Sequence, residues 1–284
     1  MQYLGVITDP HKQSTSPVFQ QAAIDALNLG LTYERWPTPP EGLETRIIGL
    51  RAPSVLGANV TIPHKEAAMR LLDELDRVAK RVGAVNTIIN RGGKLHGYNT
   101  DVEGFLRALK DDAAFDPNGC DAIVAGAGGS ARAIAVGLVE AGAASITIVN
   151  RSAKRAAQLI ADVGRFAGKT RLEATGATTE SWAKMAPRAQ LLVNCTSVGM
   201  AGAAEEETPV PAGLIRPEML VFDLIYRPLE TRLLNEAADR GARVLGGLPM
   251  LIYQGAASFK IWTEQDAPVD VMFDAARRTL VEDA

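Results

Sequence analysis

Two charged side chains stand at expected helix starts, and for the lysine an ordinary structural role suits that place poorly. Lys65 follows the run Asn59-Val60-Thr61-Ile62-Pro63-His64, and a helix entered through Pro63 places its ammonium in the first turn, at the positive end of the peptide dipole. Asp101, in Asn99-Thr100-Asp101-Val102-Glu103, opens another expected helix. A lysine and a carboxylate converging from two helix starts form a proton-transfer pair. Spacing leaves plainer readings open: a solvated surface lysine, and a capping box from Thr100 to Glu103 with Asp101 as a favourable first-turn acid. Ser14-Thr15-Ser16-Pro17 is equally two-sided. Ser16 suits a helix N-cap, whereas Ser14 and Ser16 together would hold a carboxylate beside a helix N-terminus.

A second chemistry is written at Gly126-Ala127-Gly128-Gly129-Ser130-Ala131, a G-x-G-x-x-A run between an expected strand and an expected helix. The first glycine permits a tight turn, the second lets a pyrophosphate approach the backbone, and the helix start offers N–H groups to an anion. An NAD enzyme would carry an acidic residue about 20 positions further on. Here Val149 is followed by Asn150-Arg151-Ser152-Ala153-Lys154-Arg155, three cations and no carboxylate. Fixed positive charge suits a dianionic 2′-phosphate, so NADP is favoured over NAD. The alternative, a basic patch solvating a helix start, runs against the dipole.

These residues need an α/β scaffold, and short Val/Ile/Leu runs alternating with helical stretches predict one with mostly parallel sheets. Strands are expected at 3–7, 31–36 and 55–60, and helices at 17–29, 42–49, 63–72 and 75–82. A hairpin pair at 85–90 and 95–98 turns through Arg91-Gly92-Gly93, and a helix follows at 101–109. Beyond a polar connection at 111–119, a second series reads strand 121–125, helix 128–141, strand 145–149, helix 152–166, strands ending near 174, 194 and 223, and a helix at 230–240. Residues 201–211 read as an exposed loop, and helices at 250–262 and 269–281 close the chain.

Composition bounds the class. At roughly 150 residues per domain, 284 residues imply two domains. A hydrophobic content of 47% with 22% charged residues excludes disordered and low-complexity classes. A net charge of −3 suggests neither nucleic acid nor an anionic membrane as partner. No apolar run reaches the roughly 18 residues of a membrane helix. Cys120 and Cys195 read as reduced core thiols of a cytoplasmic protein, and the three histidines lack metal-ligand spacing, so no metal is expected.

Nine segments, taken together, carry a resemblance. Ser14-x-Ser16-Pro17, Asn59-Val60-Thr61-Ile62-Pro63-x-Lys65, Gly83-Ala84-Val85-Asn86-Thr87, Gly97-Tyr98-Asn99-Thr100-Asp101 and Gly126-x-Gly128-Gly129 resemble the shikimate dehydrogenases. So do Asn150-Arg151, Asn194-x-Thr196-Ser197-x-Gly199-Met200, Asp223-x-x-Tyr226-x-Pro228-x-x-Thr231 and Met250-Leu251-x-x-Gln254. They occur in order over nearly the whole chain.

The resemblance implies NADP-dependent interconversion of shikimate and 3-dehydroshikimate in aromatic amino acid biosynthesis. It assigns Lys65 and Asp101 to catalysis. Ser14, Ser16 and Tyr226 would hold the substrate carboxylate, and Thr61, Asn86 and Gln254 its ring hydroxyls. Gly126, Ala127, Gly128, Gly129 and Ser130 would cradle the pyrophosphate; Asn150, Arg151, Ser152, Lys154 and Arg155 the adenosine phosphate; Thr196, Leu224, Gly247 and Met250 the ribose and nicotinamide. It also implies a substrate domain over 1–105, a Rossmann-type doubly wound NADP domain over 106–246 and C-terminal helices over 247–284 returning to the first domain, with a cleft between the two domains and a monomer or homodimer as the working unit. Three positions depart from the family pattern: Gln20-Gln21 where a His-Asn pair is common, Pro249 where glycine is usual, and Gly255 where alanine is usual. Pro249 also reads as a first-turn helix residue. The nearest rival readings are a quinate or amino-shikimate dehydrogenase, and a non-catalytic NADP-binding redox sensor.

Overall fold

The structure, a computed structural model, describes residues 2–11, 13–202 and 204–282. The chain divides into two compact units, one running to Gly104 and resuming at Ile252, the other spanning Phe105–Leu251.

The first unit is built from β1 (Gln2–Thr8), α1 (Ser16–Ala26), β2 (Leu31–Pro37), α2 (Leu43–Gly49), β3 (Val55–Val60), α3 (Lys65–Met69), β4 (Glu74–Leu75), α4 (Arg77–Val82), β5 (Thr87–Arg91), β6 (Lys94–Tyr98) and the start of α5 (Asp101–Asp111). Its sheet has the order β2-β1-β3-β5-β6-β4. β1 is parallel to β2 and β3, while the β5–β6 hairpin runs antiparallel to β3. The strands are apolar because both faces are covered; Ile7, Trp36, Ile47, Val60, Ile88 and Leu95 pack into one buried cluster.

The second unit contains the rest of α5, then β7 (Asp121–Ala125), α6 (Gly129–Glu140), β8 (Ser145–Asn150), α7 (Ala153–Gly164), β9 (Arg171–Gly176), α8 (Thr179–Met185), β10 (Leu191–Asn194), β11 (Leu220–Asp223), α9 (Arg232–Asp239) and β12 (Arg243–Leu245). α10 (Leu248–Thr263) carries the chain back to the first unit, where α11 (Val269–Glu282) packs on α1. The second sheet is wholly parallel, in the order β12-β11-β10-β7-β8-β9. That is the doubly wound dinucleotide order, and its topological switch point lies between β7 and β10.

Three elements differ from expectation. β4 occupies residues read as the start of a helix, because Asp76 ends the strand and caps α4 through bonds from the Val78 and Ala79 N–H groups. α8, capped by Thr178, buries only Trp182, so it shows no apolar stripe. β12 is a three-residue edge.

Candidate active site

In the first unit, Lys65 is the opening residue of α3 and Asp101 that of α5. The Lys65 Nζ donates to Asp101 Oδ2 at 2.6 Å, with the two side chains 13% and 6% exposed. Both helix starts are pinned. Val85 N–H donates to the Lys65 carbonyl, and Asn99 Oδ1 accepts the Asp101 N–H. Asn86, just before β5, donates from Nδ2 to Asp101 Oδ1 at 2.8 Å and to Gln254 Oε1 at 3.2 Å. The carboxylate is thus gripped from both oxygens, and the ammonium keeps two further N–H donors for a substrate. Lys65, Asp101, Asn86 and Gln254 form one bonded group drawn from α3, α5, the β5 entry and α10. Thr61 begins the turn into α3, its N–H on the Ile7 carbonyl and its carbonyl on the His64 N–H.

The capping box is not formed: the Thr100 hydroxyl lies on Asn86, the Gln254 carbonyl and Ser258. Nor does Ser16 cap α1. Thr15 occupies the N-cap without a side-chain bond, and Ser16, first in the helix and 9% exposed, has its N–H on Ser14 Oγ at 3.3 Å. The two serines form their own pair at the helix start. Tyr226, the third member of the expected carboxylate set, belongs to the other unit, where burial pushes its phenol above the ordinary range.

The departures from the family pattern have structural partners. Gln21 accepts the Tyr33 N–H and donates to Asp25 and the Leu31 carbonyl, tying α1 to β2. Gln20, fully buried, donates to the Gly255 carbonyl. Pro249 is the second residue of α10, where its missing N–H costs no helical bond.

In the second unit the glycine run leaves the C-terminal end of β7 at the switch point. Gly126 has φ +113°, and a Cβ there would stand 3.1 Å from the Cys195 backbone, at the exit of β10. Gly128 caps α6 without a side-chain bond, and a Cβ added to it would meet nothing within 4 Å. Ala127, Gly129 and Ser130 flank Gly128 and are half-buried. Past β8, Asn150 donates to the Ser152 carbonyl, Ser152 caps α7, and Arg151, Lys154 and Arg155 are exposed. Arg155 reaches back to the Ala127 carbonyl at 3.4 Å, and no acid occupies the first turn of α7. Open backbone donors beside clustered cations fit a dinucleotide bearing a 2′-phosphate.

Thr196 hangs on a buried network that composition does not reveal. Its N–H and hydroxyl both donate to Asn194 Oδ1, and Asn194 Nδ2 donates to Asp223 Oδ1. Asp223, fully buried, also accepts from Thr231 and the Ile225 N–H. Burial pushes its carboxyl up, and those three donors oppose the shift. Gly247 is required by contact: a Cβ there would collide with the Leu224 carbonyl. Met250, in the first turn of α10, is 8% exposed. Among the described residues no group of three or more His, Cys, Asp or Glu could hold a metal, and no helix is long and apolar enough to cross a membrane.

Comparison with known proteins matches this architecture throughout. Residues 6–88 match the family model of the shikimate dehydrogenase substrate binding domain, 109–196 that of shikimate / quinate 5-dehydrogenase, and 247–277 that of the shikimate 5′-dehydrogenase C-terminal domain. Relatives named shikimate dehydrogenase (NADP(+)) occur in Symbiobacterium thermophilum, 45% identical over 98% of this chain and 94% of that one, and in Methanopyrus kandleri, 43% identical over 96% and 93%. The crystal structure of shikimate 5-dehydrogenase from Thermus thermophilus in complex with NADP(H) and shikimate superposes with a TM-score of 0.86 at 40% identity, covering 99% of this chain and 100% of that one.

Proposed function

The chain belongs to the shikimate dehydrogenase family, and from that premise we propose that its Lys65–Asp101 pair moves the proton in an NADP-dependent, reversible reduction of 3-dehydroshikimate to shikimate. It is an NADP-dependent oxidoreductase. NADP(H), when bound, supplies or takes up the hydride. The protein's own chemistry lies at Lys65 Nζ, which gives a proton to the ketone oxygen during reduction and accepts the hydroxyl proton during oxidation. Asp101 holds that ammonium 2.6 Å away and presents the carboxylate to a neighbouring ring hydroxyl.

Asn86, Gln254 and Thr61 supply donors and acceptors for the remaining hydroxyls, and a polyol requires a partner for each one that leaves water. Ser14, Ser16 and Tyr226 bind the carboxylate. Residues Gly126 to Ser130 hold the pyrophosphate, Asn150, Arg151, Ser152, Lys154 and Arg155 the 2′-phosphate end, and Thr196, Leu224, Gly247 and Met250 the nicotinamide end. The unit completed by α10 and α11 takes the substrate and the doubly wound unit the dinucleotide. The two free thiols suit a reducing cytoplasm, and the working unit is a monomer or homodimer.

The single observation that carries this reading is the buried lysine–carboxylate pair with Asn86 on the second carboxylate oxygen, which a nucleotide-binding sensor has no use for. The experiment is dinucleotide reduction followed at 340 nm with shikimate and quinate, each offered NADP and NAD. Turnover confined to shikimate with NADP supports the proposal; preference for quinate, or none with either acid, overturns it.

A further inference from the structure

Behind Asn86 lies a polar cluster that the reaction itself does not require, and it centres on Ser258, one turn beyond Gln254 in α10. The Ser258 hydroxyl is fully buried. It stands 2.6 Å from the Thr87 hydroxyl, 3.1 Å from that of Thr100 and 3.0 Å from the Gln254 carbonyl, and it accepts from Asn59 Nδ2 at 3.1 Å. Asn59 also donates to the Asn86 carbonyl and accepts from the buried Tyr33 hydroxyl at 2.7 Å. Four segments meet at one oxygen: β3 through Asn59, β5 through Thr87, the α5 entry through Thr100, and α10 itself.

The polarity of this cluster is fixed by donors that cannot reverse. The Thr100 backbone N–H donates to Asn86 Oδ1 at 2.8 Å, and the Thr87 hydroxyl lies on the same oxygen at 3.0 Å. The Asn86 amide therefore turns its nitrogen towards Asp101 Oδ1 and Gln254 Oε1. The Gln254 carbonyl in turn takes the Thr100 and Ser258 hydroxyls. Ser258 is a further tie between the Asn86 side of this arrangement and α10, beside the Asn86–Gln254 bond and the Thr100 hydroxyl on the Gln254 carbonyl. A buried network with every member bonded specifies one geometry, and a network missing a member does not.

We propose that Ser258 is a positioning residue for this reaction, holding Gln254 in register with Asn86 and Asp101. The proposal rests on the reading of Asn86, Asp101 and Gln254 as substrate-facing groups. Its role is confined to the substrate side, since every partner of Ser258 lies in the first unit.

The test is Ser258→Ala in the full chain, with Ser258→Cys, which keeps a weak donor on a larger atom, as a second variant. The expected result for Ser258→Ala is a fall of fivefold or more in kcat/KM for shikimate, a displaced pH profile of kcat, and an NADP Kd within twofold of the parent by calorimetry, with Ser258→Cys recovering part of the loss. A kcat/KM and pH profile matching the parent in Ser258→Ala overturns the proposal, even if the melting temperature falls. Should Ser258→Ala fail to fold, Thr87→Val, which removes the hydroxyl 2.6 Å from that of Ser258, takes its place, and a parent-like kcat/KM and pH profile in it overturn the proposal equally. Loss of activity in Ser258→Ala alongside full activity in Lys65→Ala would instead refute the underlying assignment of the site.

Discussion

Gln20 donates its side-chain amide to the Gly255 carbonyl at 2.9 Å, so these two residues are one contact between α1 and α10. The approach is close. A Cβ on Gly255 would stand 2.5 Å from the Phe19 ring and 3.2 Å from Gln20 Nε2, and both side chains are fully buried. α1 begins at Ser16 and α10 carries Gln254 next to Gly255, so this contact links the two elements that present those residues.

Gly255→Ala sets two effects against each other. Alanine gains about 1 kcal/mol of helix propensity over glycine, whereas a methyl group forced against a packed aromatic ring costs about 1–3 kcal/mol. The ring is enclosed and cannot swing aside, so overpacking wins and the melting temperature falls by a few degrees. Scanning calorimetry of the variant checks this; a rise in melting temperature would mean that α1 yields at no cost.

Lys65→Ala removes the proton carrier and leaves Asp101, already 4% exposed, without its cation. General acid–base groups of this kind contribute about 10²–10⁴ in rate, so kcat falls by at least 10² with NADP affinity retained. Asp101→Asn keeps the shape and the Asn86 contact but loses the charge, and is expected to lose about as much. Steady-state kinetics on folded variants decide it: a loss under tenfold in Lys65→Ala removes this lysine from the chemistry.

Sequence made some of this legible and hid the rest for physical reasons. β10 and β11 are buried apolar runs closed by Asn194 and Asp223, a local signal, and the glycine run after β7 betrays its own turn because only glycine accepts φ +113° so readily. The pairing of Lys65 with Asp101 was another matter. Thirty-six residues separate them, and either could have served a plain cap or surface role until β3, β5 and β6 were ordered side by side. Ser258 carries no sequence signal, because a serine in a helix is ordinary until its neighbours are known. Asp223 was visible only as part of a motif; its three donors come from β10, from α9 and from the backbone just past its own strand.

In the proposed function, Arg151 and Arg155 provide the charge that favours NADP. Both are exposed, so each contact with a 2′-phosphate is worth only about 1.5 kcal/mol, near the low end for charged hydrogen bonds. Arg151→Ala is expected to raise the KM for NADP about tenfold while leaving the KM for NAD within about twofold, and the effect weakens as ionic strength rises. Parallel titrations with both dinucleotides test this. Equal losses with NADP and NAD would show that the arginine serves the pyrophosphate or the fold instead.

Asp73 gives the protein a defined acid limb. Its carboxylate takes two guanidinium bonds from Arg51, at 2.6 and 3.2 Å, and the Leu95 N–H at 2.7 Å. The Arg51 bonds, followed by the Leu95 N–H, lower its pKa from 3.8 to about 2. Between those values the unfolded chain binds more protons at this site than the folded one, so stability rises with pH there. The contribution is complete above the ordinary carboxylate value and drains away as pH falls towards 2. Asp73→Asn should therefore unfold at lower urea than the parent at pH 6, and the gap should narrow as pH drops from 4 to 2.5. Urea midpoints across that range measure it, and a gap independent of pH would show that the side chain of Asp73 acts through its hydrogen bonds and shape and not through its charge.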